Sequence, residues 1–292
     1  MLKQSVSKTE YISVVYLAWL PYGVQYFKLF IQSYIRHQSS FSHYLIIAFN
    51  GLGFEYSNAP EEYLEILKNN AIIPYKIFYF QSGQDIEIYQ NVAKEIDTEY
   101  VLFLNTYSEI KADNWLQFYA ERMNNGIGMI GASGSFQSYY SAIFQKYAWK
   151  WEKRESFLYN FRKYKLFIKN FFYWRFLFRP FPNPHVRTNA FMVRPKEFLK
   201  LNSGKLSSKF KAYLFENGRK SLTNYYLKKG LKVLVLDKFG NTYEPDQWSQ
   251  SSTFWINNQE NLLISDNQTR LYDEADEVYK KLLTKLAWGI NE

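Results

Sequence analysis

The chain has 292 residues and a net charge of +9, and it is 47% hydrophobic and 20% aromatic. This apolar content is enough for a packed core and excludes a disordered chain. The absence of cysteine excludes disulfides and thiolate metal sites.

Strands and helices alternate over residues 10–125. The predicted strands are nearly continuous apolar runs at 10–20, 43–51, 76–81 and 100–105. The predicted helices are 24–37, 59–70, 85–96 with Asp85 as N-cap, and one that starts at Asp113. This order is typical of a parallel sheet covered on both faces. The sequence therefore predicts an α/β fold with a mostly parallel central sheet flanked by helices.

Ligands of such sheets bind at the carboxyl ends of the strands. These ends are predicted at Leu17-Ala18, at Asn50, at residues 81–85 and at residues 105–107. A further strand within 126–138 has a glycine-rich exit but completes no phosphate-binding GxxxxGK[ST] or GxGxxG motif. We interpret its glycines as sites of close packing.

Residues 141–180 carry ten Lys or Arg and two Glu, interleaved with aromatic residues. One interpretation is a pair of amphipathic helices that pack on the sheet and expose their cationic faces. The other is an interfacial helix that contacts an anionic bilayer. Nucleic-acid binding uses the same residue types, but no module signature accompanies them here, so we expect no nucleic-acid partner.

The segment FLNTYSEIKADNWL, residues 103–116, resembles the GT-A glycosyltransferases, in particular the family 2-like enzymes. In that family the fourth strand ends in a D-x-D or N-x-D step, followed by an acidic residue and a Trp-Leu helix. Here the step is Asn105-Thr106-Tyr107, followed by Glu109 and Trp115. The resemblance covers roughly residues 10–240, and the segments PNPHVRTNAF and DNQTR fit it as well.

The resemblance implies one Rossmann-like GT-A domain over 1–292. Residues 1–125 would form the nucleotide-sugar half, 126–240 the acceptor half with a basic aromatic helical insertion at 141–180, and 241–292 a C-terminal loop and helix. The implied activity is inverting transfer of a sugar from a nucleotide-sugar donor to a glycan or lipid-linked acceptor, in surface polysaccharide assembly. A catalytically silent sugar- or partner-binding protein is the alternative.

The resemblance also implies roles for single residues. Glu216, all that remains of the family's Glu-Asp pair, would be the catalytic base, although an acidic residue ahead of a helix also fits a charge at its N-terminus. The implied nucleotide-sugar contacts are Tyr16, Leu17, Ala18, Asn50, Asp85, Asn105, Tyr107, Arg187 and Arg270.

Tyr107 departs from the family pattern, because a carboxylate that holds Mn²⁺ or Mg²⁺ is expected at this position. Three interpretations stay open. Glu109 could hold the metal instead; the enzyme could need no metal and use Arg187 or Arg270 on the diphosphate; or the fold could have lost catalysis.

The remaining expectations concern location and a few side chains. The first residues, MLKQSVSKTEY, lack the apolar region of a signal peptide, and no run of about 18 apolar residues occurs. We therefore expect a cytoplasmic protein with peripheral membrane contact through 141–180.

Residues 266–270 also fit a turn that caps the last helix. Trp248, Phe254 and Trp255 could stack on a sugar or pack beneath a loop.

Overall fold

The computed structural model describes residues 12–53, 59–141, 172–201 and 208–290. The strands are β1 Ile12–Trp19, β2 Tyr44–Asn50, β3 Lys76–Phe80, β4 Tyr100–Leu104, β5 Glu109–Ile110, β6 Ile127–Gly131, β7 Gly134–Ser135, β8 His185–Val186, β9 Ala190–Val193, β10 Lys232–Leu236, β11 Thr242–Tyr243 and β12 Ile264–Ser265. The α-helices are α1 Gln25–Arg36, α2 Ala59–Asn69, α3 Asp85–Ala93, α4 Trp115–Arg122, α5 Pro195–Leu199, α6 Lys209–Asn217, α7 Leu222–Lys228, α8 Asn267–Asp273 and α9 Glu277–Trp288.

Within the described ranges, eight strands form one central sheet in the order β11-β10-β6-β9-β4-β1-β2-β3. Strands β1 to β4 are mutually parallel, and β6 is parallel to β10. Strand β9 is antiparallel to β4 and β6, and β11 is antiparallel to β10. The predicted fold class, an α/β fold with a mostly parallel sheet flanked by helices, is confirmed.

Both faces of the sheet are buried, which explains why the strands read as continuous apolar runs. Along β1, Val14 and Tyr16 join the core cluster that contains the inner faces of α1, α2 and α4. Val15 and Leu17 join the opposite cluster, which contains the inner faces of α3, α5 and α7. Every position of the strand therefore has an apolar environment.

The glycines of the segment 126–138 allow close packing. A Cβ on Gly128 would lie 2.5 Å from the Tyr226 ring, and one on Gly131 would lie 2.2 Å from Val186. These distances are shorter than real Cβ contacts, so a side chain at either position would force its neighbour to move. The interpretation of this segment as a tightly packed one is confirmed.

Two predicted helix starts were wrong by one or two residues. Gln84 is the N-cap of α3, and Asp85 is its first helical residue, where a carboxylate still benefits from the helix dipole. Helix α4 begins at Trp115 because Asn114 adopts the left-handed conformation, with φ of 57°.

The basic segment predicted at 141–180 lies for the most part outside the described residues. Its described end is helical over 172–177, and Phe178 forms a β-bridge with Gly218, which directly follows α6. Among the described helices, none has both the length and the apolar character needed to cross a membrane.

Candidate active site at the carboxyl edge of the sheet

The antiparallel strand β9 brings a second chain segment to the carboxyl edge of the parallel strands. Leu104, the last residue of β4, pairs with Ala190, the first residue of β9. Just beyond them, the Asn105 N–H donates to the carbonyl of Asn189 at 2.9 Å. Residues 185–189 therefore lie beside the N-T-Y step, although about 80 residues separate the two in the chain.

Glu216 reaches the same edge from the end of α6. Its Oε1 accepts a hydrogen bond from the Thr188 N–H at 3.1 Å. Glu216 lies in the last turn of this helix, at the negative end of the helix dipole. The dipole therefore does not stabilise the negative charge of its carboxylate. The alternative, a charge at the start of the next helix, is wrong: α7 begins at Leu222 and takes Ser221 as its N-cap.

Asp85 lies near enough to Glu216 for the two charges to interact. Asp85 is exposed to solvent, yet desolvation by the surrounding protein raises its pKa, and the negative charge of Glu216 raises that pKa further. Two acidic groups therefore lie near each other at this edge of the sheet.

His185 adjoins the same pair. Burial lowers the pKa of His185, and the charge of Glu216 partly opposes that shift. The Nδ1–H of His185 donates to the carbonyl of Asn183 at 2.8 Å, which fixes the orientation of the ring. The neutral ring therefore adds no positive charge beside Glu216.

The N-T-Y step is locked in place by internal hydrogen bonds. The Oδ1 of Asn105 accepts from the Tyr107 N–H at 3.0 Å. The Thr106 hydroxyl donates to the carbonyl of Leu17 at 2.9 Å and accepts from the Trp19 N–H at 3.0 Å. The step therefore forms a rigid turn attached to the end of β1.

Tyr107 joins two other tyrosines at the mouth of this edge. Its ring centroid lies 4.6 Å from that of Tyr26 and 5.3 Å from that of Tyr22. Burial, followed by a hydrogen bond with Tyr22, raises the pKa of Tyr107, so its phenol is neutral at physiological pH. Tyr22 and Tyr26 were missed in the sequence because neither belongs to a strand end.

The side chains at 105–109 do not fit a divalent metal. Glu109 is paired with Lys111 at 2.8 Å and with Arg270 at 3.4 Å, and the phenol of Tyr107 carries no charge. Mn²⁺ and Mg²⁺ prefer free carboxylate oxygens and water. Among the described residues, no group of three or more His, Cys, Asp or Glu is arranged to hold a metal ion.

Arg187 is enclosed by protein partners. Its Nη2 donates to Asp266 at 2.7 Å, its Nη1 donates to Ser133 at 3.3 Å, and its guanidinium lies 4.1 Å from the ring centroid of Phe254. Only 9% of Arg187 is exposed. The expected contact with a diphosphate stays a prediction.

Arg270 lies at the edge itself, in α8. Its Nη2 donates to the carbonyl of Tyr107 at 2.9 Å, and its side chain is 24% exposed. The helix is capped by Asp266, whose carboxylate accepts from the N–H groups of Gln268 and Thr269. The predicted capping turn is therefore present, but it caps the penultimate helix rather than the last.

The predicted base-contact residues of β1 have buried side chains. Tyr16 is fully buried; its hydroxyl donates to the carbonyl of Thr106 at 2.6 Å, and its ring stacks on Phe30 at 4.0 Å. Leu17 and Ala18 are buried as well. Their contact with a nucleotide stays a prediction, and their backbone is the part that such a contact would use.

Two buried amides at this edge have unpaired polar atoms. Asn50 donates to the carbonyl of Gly83 at 3.0 Å, but its Oδ1 is buried and has no hydrogen-bond partner in the described chain. The Nδ2 of Asn189 is in the same situation. Buried polar atoms are rarely left unpaired unless a ligand or a water serves them. Asn189 was missed, although RTN at the start of a strand could have indicated it.

The aromatic residues near the C-terminus pack inside the protein. Trp248, Phe254 and Trp255 are at most 5% exposed, and Phe254 stacks on Trp255 with a centroid distance of 4.5 Å. Of the two interpretations, packing beneath the loop is therefore the one that the structure supports.

A cavity of about 570 Å³ adjoins the end of α6. Its wall includes Asn217, the residue after Glu216, together with Tyr139 and Tyr213, whose rings stack at 5.4 Å. The Oδ1 of Asn217 is buried and unpaired within the described residues. Aromatic rings and free amide oxygens are groups that can receive a polar ligand with apolar faces.

Comparisons with known proteins give distant matches only. No family model and no characterised protein sequence matches the chain. Among solved structures, the mannosyltransferase PcManGT from Pyrobaculum calidifontis, in complex with GDP-Man and Mn²⁺, is 8% identical with a TM-score of 0.33 and covers 43% of this chain. S. aureus TarS 1–349 is 13% identical with a TM-score of 0.32 and covers 41% of this chain. The matched region spans about a third of each of those structures, 36% and 34%.

Proposed function

We propose that the protein is a glycosyltransferase with a GT-A fold, which moves a sugar from a nucleotide-sugar donor to a glycan or lipid-linked acceptor. The observation that carries this proposal is the position of Glu216, held by the Thr188 N–H at the carboxyl edge of the sheet, near enough to Asp85 to affect its pKa. A carboxylate whose pKa is raised by burial and by a neighbouring negative charge does not favour folding, and such groups concentrate at functional sites.

Glu216 would act as general base in an inverting displacement. The acceptor hydroxyl oxygen attacks the anomeric carbon, the bond from that carbon to the phosphate oxygen breaks, and Glu216 takes the hydroxyl proton. The Thr188 N–H holds one carboxylate oxygen at 3.1 Å and leaves the other for the acceptor.

The leaving phosphate develops negative charge that the protein must stabilise. We propose that Arg270 and Lys111 supply positive charge there, because both lie beside the N-T-Y turn and share a single carboxylate, Glu109. The sugar nucleotide would lie over the ends of β1 and β2, close to the unpaired amide of Asn50.

The cavity beside Asn217 is a suitable place for the acceptor, because its wall includes the residue after the proposed base and two stacked tyrosine rings. A glycan or lipid-linked acceptor in surface polysaccharide assembly fits this proposal. Membrane contact through 141–180 belongs to it too, although most of that segment lies outside the described residues.

The first test measures thermal stabilisation by UDP, GDP, dTDP and CMP. A ligand that binds the native state raises its stability by mass action, so a shift with one nucleotide would establish the site and the donor class. The second test compares Glu216→Gln with the wild type, measuring the release of nucleotide from the sugar nucleotide that matches the shift.

We expect Glu216→Gln to keep nucleotide binding and to lower turnover by about 10²–10⁴-fold, the usual contribution of a general base. Glutamine retains an oxygen for the Thr188 N–H, so the fold should persist. Glu244→Gln, which alters an exposed pair with Lys232, is the matched control and should keep full activity.

A catalytically silent sugar- or partner-binding module is the second candidate. It is favoured by the internal pairing of Glu109 and the neutral phenol of Tyr107, which leave the N-T-Y step without a metal ligand. Nucleotide or sugar binding with no turnover, unchanged by Glu216→Gln, would establish this candidate. No shift with any nucleotide would reject nucleotide-sugar transfer.

A further inference from the structure

A groove between the helical turn at 172–177 and the end of α6 combines positive charge with exposed aromatic rings. It has a volume of about 780 Å³ and is lined by Arg175, Arg219, Lys220 and Lys228 together with Phe172 and Phe176. We call this feature the cationic groove. Among the residues that the structure describes, no acidic one contributes to its lining.

Hydrogen bonds to backbone carbonyls join the two sides of the cationic groove. The Arg219 N–H donates to the carbonyl of Leu177 at 2.8 Å, and the Arg219 Nε donates to the carbonyl of Arg175 at 2.8 Å. The bridge between Phe178 and Gly218 adds a third connection. The helical turn at 172–177 and the end of α6 are therefore held in a fixed relation.

Positive charge predominates on this surface. Residues 172–182 and 208–232 together carry nine Lys or Arg and a single acidic residue, Glu216. Glu216 faces Thr188 at the active-site edge rather than the groove lining. In the described parts of the chain, none of the four groove cations forms an ion pair with a carboxylate. A partner with negative charge would therefore complement the groove.

The exposed aromatic residues indicate which anionic partner fits. Phe176 is 78% exposed, Phe172 is 67% exposed and Tyr173 is 54% exposed. Several large aromatic side chains exposed together on one short helical turn are unusual on a surface that faces only water. Aromatic rings beside Lys and Arg are typical of protein surfaces that insert into the headgroup region of a bilayer.

We propose that the cationic groove docks the protein on an anionic lipid bilayer, with Phe172 and Phe176 inserted among the headgroups and the four cations on lipid phosphates. Three of these four cations, Arg219, Lys220 and Lys228, come from outside the basic segment at 141–180. The contact is therefore a composite surface, which the linear charge run does not reveal. This inference does not depend on the proposed sugar transfer.

The test is co-sedimentation of the full chain with vesicles at low salt. Vesicles of phosphatidylcholine mixed with phosphatidylglycerol should retain the protein, and pure phosphatidylcholine vesicles should not. Each Lys or Arg near an anionic surface strengthens binding about fivefold, so Lys220→Gln/Lys228→Gln should weaken binding about 25-fold. Phe176→Ser should weaken it about tenfold by removing buried apolar area.

Matched controls carry the same chemical changes elsewhere. Lys68→Gln/Lys94→Gln removes two exposed cations, one in α2 and one directly after α3. Phe239→Ser removes an aromatic ring near β11 that is 63% exposed. Both should bind vesicles like the wild type. Equal weakening by control and groove variants, or no retention on the anionic vesicles, would overturn the proposal. So would tighter binding to a DNA duplex, lost in the same groove variant.

Discussion

At the scale of a single residue, Tyr107 leads us to predict that nucleotide binding does not depend on a divalent metal. We expect nucleotide stabilisation to be the same in Mn²⁺ and in EDTA, because Asn105 Oδ1 accepts from the Tyr107 N–H and Glu109 is paired with two cations. The measurement is the thermal unfolding midpoint with the best nucleotide of the panel. A shift that disappears in EDTA would mean that a metal takes part in binding.

Substitutions at position 107 sharpen this test. Tyr107→Asp places a carboxylate beside Asn105, so Mn²⁺ should now increase the nucleotide-dependent shift. Tyr107→Phe keeps the ring contacts with Tyr22 and Tyr26, and its shift should remain independent of the metal. If Tyr107→Asp responds to Mn²⁺ no more than Tyr107→Phe does, the side chain at this position does not determine metal use.

The residues of the site show what the sequence could and could not predict. Asn105 and Asp85 could be proposed as site residues because each follows a strand end, and strand ends can be read from apolar runs. The pairing of Glu216 with Thr188 was hidden, because it joins residues of two separate segments through a backbone N–H. Tyr22 gives no sequence signal, since its importance arises from a contact with Tyr107.

At the scale of elements, the start of α8 joins several parts of the protein. Asp266 caps this helix and pairs with the buried Arg187, which in turn lies on Phe254. We expect Arg187→Met to lower the free energy of unfolding by about 3–5 kcal/mol, because it leaves the Asp266 charge buried without its partner. Urea unfolding measures this change.

Two further variants separate the ion pair from general damage. Asp266→Asn keeps a side-chain oxygen for the cap, so the double variant Arg187→Met/Asp266→Asn should cost less than the sum of the single changes. Lys232→Met breaks an exposed pair with Glu244 and should change the free energy by about 1 kcal/mol or less. An equally small effect of Arg187→Met would show that the buried pair contributes little.

The elements themselves were predicted unevenly. Strands β1 to β4 and the helices between them follow from periodicity, because local burial dictates their composition. The insertion of β9 between β4 and β6 could not be predicted, since a four-residue strand such as Ala190–Val193 carries no signal for its neighbours or its direction. That insertion is what brings Thr188 to the active-site edge.

At the scale of the whole molecule, buried tyrosines link stability to alkaline pH. Burial raises the pKa of several phenols, among them those of Tyr16, Tyr34, Tyr63, Tyr89, Tyr119 and Tyr226. For Tyr63, which is 2% exposed, the pKa rises from 10.0 to about 12. In the unfolded chain a phenol ionises near pH 10, whereas the folded protein holds its proton to a higher pH.

The sign of this linkage follows directly. The stability contributed by a neutral phenol is fully present below pH 10 and is lost as the pH rises through the folded-state pKa, about 12 for Tyr34 and Tyr63. Two units of pKa correspond to about 3 kcal/mol for one fully buried group. We expect cooperative unfolding between about pH 10 and 12, followed by circular dichroism and by tyrosinate absorbance.

The double variant Tyr119→Phe/Tyr226→Phe tests whether these phenols cause the transition. Both hydroxyls are buried and have no hydrogen-bond partner in the described residues, so their removal breaks no hydrogen bond. The alkaline midpoint should move to higher pH, while stability at neutral pH stays the same or increases. Tyr75→Phe, which removes a phenol from a residue that is 64% exposed, should leave the midpoint unchanged. If the double variant unfolds at the same pH as the wild type, ionisation of other groups must drive alkaline unfolding, since these two phenols can no longer lose a proton.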